Sequence, residues 1–340
     1  MRKSLTLCVL LLGVVLAILL AISMGTAPIP PTEILQILGT RLLGSPLPET
    51  IPLTTASIIW SIRLPRVLLA FLVGASLAMS GAIMQSVLRN PLASPFTLGG
   101  SAGASLGASL MLVFGFSLPF LGVLGLPVMG FVSGLATVLL IMTLSFRLDT
   151  RLENQTLILI GMVVSLFINA LLTVLMTMSR QFMEQLILWQ LGSFAGRGWL
   201  PVPIILATTV IGVLWGLLRA KELDIMTFGE EQALSMGVEV KNLKLSMVVI
   251  SSFLTGSAVA FVGIIGFVDL IAPHLARRLF GSSHRYVLPI SGLIGGLLMV
   301  VADLIGRSLF APFEIPVGAV TALVGAPFFM SLYFRRKSIC

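Results

Sequence analysis

Long apolar stretches separated by short polar ones set the pattern of this chain. Uncharged runs cover residues 4–32, 67–88, 90–146, 154–179, 198–218, 245–268, 286–302 and 315–334. A helix needs about 20 apolar residues to cross a hydrocarbon core of about 30 Å. The 57-residue run from Asn90 therefore holds two spans, with a turn expected near 117–126. Length alone predicts nine crossings. The longest polar interruption is 219–244, RAKELDIMTFGEEQALSMGVEVKNLK, where nine of 26 residues are charged. Such a segment cannot lie in hydrocarbon and is expected at a membrane surface. Thr227, with Glu230 three residues on, spells a capping box. Gly237 marks a stop, and a second short segment, 238–245, follows with Lys241 and Lys244 near its end. The pattern predicts a helix–turn–helix knuckle that receives force from another protein. A solvated loop with one incidental helix is the plainer alternative.

Composition agrees with the pattern. The 340 residues are 57% hydrophobic and 10% charged, with mean hydropathy +1.10. A soluble domain carries about 25% charged residues, so the expectation is an all-α, polytopic membrane protein forming one transmembrane domain over 1–340. The net charge of +8 lies in short loops and not on one basic face, which argues against nucleic-acid binding. Cys8 and Cys340 stand at opposite ends and suggest neither a disulfide framework nor a metal site. Two histidines offer little for a metal centre. Lys nowhere follows Gly, so the phosphate-cradling GxxxxGK[ST] loop is absent. No cofactor is expected in this chain, and ATP hydrolysis in the P-loop manner is not expected of it.

Charge bias predicts orientation. With both termini in the cytoplasm, 15 of the 21 basic residues lie inside, among them Arg2, Lys3, Arg89, Arg147, Arg151, Lys244, Arg277 and Arg278. Arg41, Arg63, Arg66, Arg180, Arg197 and Arg307 lie outside. This arrangement demands a tenth crossing, because Lys244 and Arg277 must share a side with only 32 residues between them. Those residues give about 48 Å of helix where two full crossings need about 60 Å. One leg is therefore short: the outer turn is expected at 263–266 and the short leg at 267–279. The apolar run at the N-terminus is longer than a signal-peptide core, and Met24-Gly25-Thr26 is a poor cleavage site, so a retained first span is expected. Short external helices are expected at 31–44, begun by Thr32 and Glu33, and at 179–191.

Candidate chemistry is sparse. Arg63-Leu64-Pro65-Arg66 opens the second span, and its guanidiniums could grip carboxylates of an external protein or snorkel to lipid headgroups. Small residues line 74–82, and Gly99, Gly103 and Gly107 repeat every fourth residue, a signal of close helix packing. Asn90 and Leu92, in a loop broken by Pro91 and Pro95, could line a path, as could Asn154 and Gln155 at the start of the fifth span. Asp303 and Arg307, four apart, can pair, with Glu314 following on the outer side. Asp269, inside the short leg, is expected to meet Arg277 or Arg278 or to cap a backbone end; a proton-carrying role is the sharper alternative.

Taken together, the motifs resemble one family, the permease subunits of ABC importers for iron-siderophores, haem and cobalamin. They include RLPR at 63–66, GASLAMSGAIMQSVLRNPLASP at 74–95, LGGSAGASLGA at 98–108, WQLGS at 189–193, FGEEQALSMGV at 228–238 and IGFVDLIAPHLARRLFG at 265–281. HRYVLPISGLIGG, ADLIGR and EIPVGAVTALVGAPFF complete the set, ending at Phe329. Asp269 departs from the family pattern, which usually has Gly there. The resemblance implies a type II ABC importer permease fold with ten transmembrane helices in the bacterial inner membrane. It also implies a second permease subunit (a homodimer is expected), two cytoplasmic ATPase subunits using ATP and Mg, and an external substrate-binding protein. It assigns coupling to the ATPase to Phe228, Gly229, Glu230, Glu231, Ala233, Leu234 and Gly237. It assigns docking of the binding protein to Arg63, Arg66 and Arg307, and a translocation gate to Asn90, Leu92, Asn154 and Gln155. The expected cargo is an iron chelate (siderophore), with haem or cobalamin as alternatives. An ion-coupled secondary transporter is the competing class; it needs ionisable groups near the bilayer midplane, and Asp269 and Asp303 are the only acids inside predicted spans. An intramembrane enzyme lacks a visible nucleophile–base or metal constellation.

Overall fold

The computed structural model describes residues 2–25, 28–115, 121–149, 153–178 and 180–337. Among them the chain is helical, with no strand. It runs α1 (Arg2–Ser23), α2 (Pro31–Leu43), α3 (Leu53–Ile58), a π-helical turn (Ile59–Arg63) and α4 (Leu64–Val87). There follow α5 (Gly100–Phe114), α6 (Gly125–Leu148), α7 (Asn154–Met178), α8 (Arg180–Leu191) and α9 (Pro201–Leu218). The last third holds α10 (Ala220–Met226), α11 (Glu230–Ser235), α12 (Val240–Val262), α13 (Val268–Phe280), α14 (His284–Ser308) and α15 (Val317–Lys337). Seven helices are long and apolar enough to cross a membrane, α5 and 317–328 of α15 are shorter apolar helices, and α13 is the short leg. Together these are ten helices, the number of crossings expected from charge bias, seven of them long enough to span by themselves. The turn expected at 117–126 lies partly outside the described residues, and Arg151 and Cys340 lie outside them.

Crossings alternate in direction, so α2 and α8 lie on one face and α10 and α11, the knuckle, on the other. Pro30 caps α2 and Pro31 fills its first turn. A proline there needs no N–H partner, and the helix opens at residue 31 as expected, with Gly44 at its end. The segment 238–245 is no separate element: it holds the first turns of α12.

α4 is the hub. It is buried along nearly its whole length and packs against α14, α12, α13 and α9. Small residues permit this. A Cβ on Gly74 would lie 2.2 Å from the Gly295 carbonyl of α14, so the two backbones touch. Hydroxyls join the other neighbours: Ser76 meets Thr209 of α9 at 2.6 Å, and Ser80 meets Thr255 of α12 at 2.6 Å and the Ser251 carbonyl at 2.8 Å. Lipid gives helices no hydrophobic reason to associate, so close packing and hydrogen bonds must do it. Gly103 and Gly107 serve the same purpose against Thr137 and Ser133 of α6. Gly99 packs closely too, since a Cβ there would lie 2.9 Å from Ile141 of α6 and 3.1 Å from Ser165 of α7, and its φ of +72° closes the turn before α5.

The short leg differs from its expected form in one respect. Residues 263–267 do not turn at the surface but run back into the bundle. The Phe267 ring packs on Gly325, eight residues into α15, or about 12 Å from that helix's start. The 13 residues of α13 then span about 20 Å, the remainder of the way to the knuckle face. Non-helical backbone at this depth is tolerated only when protein surrounds it. Here Gly263 abuts the Trp189 carbonyl, and Ser193 N–H donates to Val262 at 2.8 Å.

Gly74→Val should overpack the α4–α14 contact and cost about 1–3 kcal/mol, lowering the midpoint of thermal unfolding in detergent by several degrees. Gly13→Val, where a Cβ meets nothing within 4 Å, should leave it unchanged.

Candidate functional site

The knuckle is folded and seated. α11 begins at Gly229, whose φ of +135° and ψ of 155° are open to glycine alone. Thr227 does not cap it: its hydroxyl donates back to the Asp224 carbonyl at 2.7 Å. Nor does Glu230 close a capping box. Its carboxylate pairs with Lys244 Nζ at 2.7 Å, and Lys244 is fully buried. The expected surface lysine is therefore an anchor that pins α11 to α12. Beneath it, Ala233 is buried in a core with Leu223, Met226, Val238, Leu243 and the α4 residues Ile83, Met84 and Val87. Gly237 (φ +85°) turns the chain into α12. The knuckle leaves Phe228, Leu234 and Met236 exposed, 71%, 59% and 61% respectively, beside exposed Glu231, and Phe228 and Leu234 also face the cleft described next.

A cleft of about 880 Å³ lies between the knuckle and the start of α7. Arg89, Asn154, Gln155, Gly229, Glu230, Glu231 and Lys241 line it. Two of the four expected gate residues thus stand across a cleft from the expected coupling residues. Asn154 Nδ2 donates to the Leu88 carbonyl at 3.1 Å, tying α7 to the end of α4. Asn90 and Leu92 do not line the cleft. Asn90 Oδ1 accepts the Leu92 N–H at 2.9 Å, which shapes the loop after α4, and Leu92 is exposed. Lys241 Nζ lies 3.8 Å from the centre of the Phe146 ring, closing the cleft's α6 side.

On the opposite face the three expected docking arginines are turned inward. Arg63 is buried, and Nη1 donates to Ile22 and Ser23 carbonyls at 2.9 and 3.0 Å, where the end of α1 leaves them unsatisfied. Arg307 donates to Met24 and Ala21 carbonyls of the same turn and lies 3.5 Å from Asp303. Arg66 grips Asp303 with Nε and Nη2 and Glu314 with Nη1 and Nη2, all at 2.9–3.1 Å. The reason is energetic: a guanidinium in a low-dielectric wall is stabilised by carbonyls and carboxylates of its own chain. Only Arg66 and Glu314 reach the surface. Asp269 finds a partner other than the expected arginines. It is buried and meets neither Arg277 nor Arg278; its Oδ2 accepts from Ser94 Oγ.

Seven helices long and apolar enough to cross a membrane, with a folded polar knuckle between two of them, define a polytopic membrane protein. The chain belongs to the FecCD transport family, whose pattern it matches over residues 11–335. It is 38% identical to the uncharacterised ABC transporter permease protein YvrB of Bacillus subtilis, over 94% of this chain and 90% of that one. It is also 38% identical to the hemin transport system permease protein HmuU of Yersinia pestis, over 82% of this chain and 84% of that one. A solved structure described as a metal-chelate type ABC transporter in an inward-facing conformation superposes with a TM-score of 0.83 at 31% identity, covering 97% and 99% of the two chains.

Lys244→Met should loosen the knuckle by about 2 kcal/mol, less than for a wholly buried pair because Glu230 is part-exposed. Amide exchange over 228–238 should accelerate roughly 30-fold while the spans keep their protection. On the opposite face, the Arg66 hydrogen bond holds the Glu314 carboxyl below the ordinary glutamate range. Its contribution is present at neutral pH and is lost as pH falls through that lowered value. Exchange over 309–316 should rise on acidification, and Glu314→Gln should remove that dependence.

Proposed function

We propose that this chain is the translocation subunit of an ABC importer that carries a metal chelate, an iron-siderophore first, with haem or cobalamin as the alternatives its relatives suggest. The observation that carries the reading is the knuckle. It is fixed to α4 and α12 by Ala233 and the Lys244–Glu230 pair, yet it offers Phe228, Leu234 and Met236 to a partner that would cover them. A cytoplasmic ATPase fits that surface, with ATP and Mg held in the ATPase and not in this chain. The family's architecture supports a dimer of permease chains, two ATPases and an external binding protein, with both termini inside the cell.

Mechanically, ATPase closure displaces α11, and the rigid seat passes the displacement to α4 and α12. The cleft beside Asn154 and Gln155 supplies room for movement. Such a device needs only to favour one of two helix packings over the other. At the outer face, Arg66 and Glu314 are the members of the arginine–carboxylate cluster that a binding protein can reach. Arg63 and Arg307 hold α1 and α14 in place behind them.

Reconstitution into vesicles with the partner ATPase and binding protein tests this. Uptake of a panel of ferric siderophore, haem and cobalamin should require ATP, stop when the ATPase's P-loop lysine is replaced, and survive an uncoupler. Uptake that an uncoupler abolishes would instead indicate an ion-coupled transporter. Glu231→Arg with Gly237→Pro should abolish co-purification of the ATPase while the membrane dimer persists.

A further inference from the structure

Between the knuckle and the middle of the bundle lies a set of buried polar contacts that the coupling surface does not require. Asp224 ends α10. Its Oδ1 accepts from His284 N at 2.7 Å and stands 2.5 Å from His284 Nδ1. A carboxylate can only accept, so Nδ1 carries the proton. Nε2 of the same ring lies 2.5 Å from Ser86 Oγ of α4. Arg277 of α13 donates to Ser86 Oγ at 3.2 Å and to Gln85 Oε1 at 2.5 Å. Gln85 Nε2 in turn donates to the main-chain carbonyl of Asp269 at 3.2 Å.

That last carbonyl is free for a definite reason. Pro273 stands four residues on within α13 and has no N–H to give it. Gly81 lets α4 come close enough to answer it, since a Cβ there would lie 2.0 Å from the Asp269 oxygen. From the same residue, the Asp269 side chain takes the Ser94 hydroxyl. Ser94 also caps the turn at 95–98, so it sets the end of the loop that holds Asn90 and Leu92. Asp269 is 1% exposed, and its Oδ1 has no hydrogen-bond partner.

We infer that these contacts form one positioning relay, by which Asp224 of the knuckle sets the place of the α4–α5 loop through His284, Arg277 and Asp269. Each link joins a different pair of elements: α10 to α14, α14 to α4, α4 to α13, and α13 to the loop. Displacement of α10 is carried along these links toward Ser94. The relay rests on the proposed coupling of α10–α11 to an ATPase.

A double-mutant cycle across its ends tests it. The reporter is Leu92→Cys in a chain with Cys8→Ser and Cys340→Ser, assembled with the partner ATPase in lipid nanodiscs. The readout is the maleimide labelling rate with ATP and vanadate relative to the rate without nucleotide. A change of about tenfold is expected for the otherwise unaltered chain, a common size for coupling between sites. His284→Gln and Ser94→Ala should each cut that response about three- to fivefold, and the double variant should cut it no further. Ser94→Thr, which keeps the hydroxyl, should retain it. The two residues share no partner, so independent effects would multiply. Losses that multiply, or single variants that respond like the parent, would overturn the relay. If the parent itself does not respond to nucleotide, the coupling proposal fails instead. Should His284→Gln not co-purify with the ATPase, Asp224→Asn, at the half-exposed end, takes its place with the same expectations.

Discussion

A carbonyl released by a proline inside hydrocarbon must find a donor, and the way this chain meets that demand organises its centre. Pro273 releases the Asp269 oxygen, Gly81 admits it to α4, and Gln85 supplies the donor. A buried peptide oxygen left without a partner costs several kcal/mol in lipid. The contact therefore fixes how deep α13 starts and how close it lies to α4. From that follow the re-entrant stretch before α13 and the packing of Phe267 on Gly325. The left-handed φ of +71° at Phe267 belongs to the same bend. A bulky residue tolerates that conformation only where its surroundings hold it.

The same rule governs both faces. Charges here serve the bundle before they serve a partner. Arg63 and Arg307 close the end of α1, Arg66 joins α4 to α14 and to the loop before α15, and Lys244 pins the knuckle. What the knuckle leaves for recognition is mostly apolar, in Phe228, Leu234 and Met236, and of the buried charge cluster at the other face the Arg66–Glu314 pair reaches the surface. An apolar contact centre with a charged rim is what a partner that docks and pulls requires, because buried apolar area resists separation better than exposed ion pairs do.

Span count, the short α13 and the knuckle were legible in the sequence because each follows from local hydropathy and chain length. The 32 residues between Lys244 and Arg277 cannot hold two full crossings, whatever they pack against. The fate of individual charges was not legible. Thr227 and Glu230 match a capping box by spacing, but Lys244, fourteen residues on, offers Glu230 a full charge in a buried site, and Gly229 opens the helix instead. Likewise, spacing makes Asp303 and Arg307 a pair, yet Arg66, 237 residues away, takes the better geometry. Asp224 and His284 gave no signal at all, since nothing short-range relates positions 60 residues apart.

These observations bear on where a coupling machine can be stiff and where it must give. The knuckle, α4 and α12 share one core, and α14 is locked to α4 at glycine contacts, so they move together or not at all. The loop after α4 is different. Arg89 holds a left-handed φ of +48°, Asn90 turns on its own side chain, and Leu92 is bare. Its outside ties include Asn154 at one end and Asp269 at the other. A segment held by hydrogen bonds at its ends and little packing between them changes position at small cost, whereas interlocked helices do so only as a body. Force applied at α11 therefore has a rigid path to α4 and a compliant element at its far end, tied to α13 by the Ser94–Asp269 hydrogen bond.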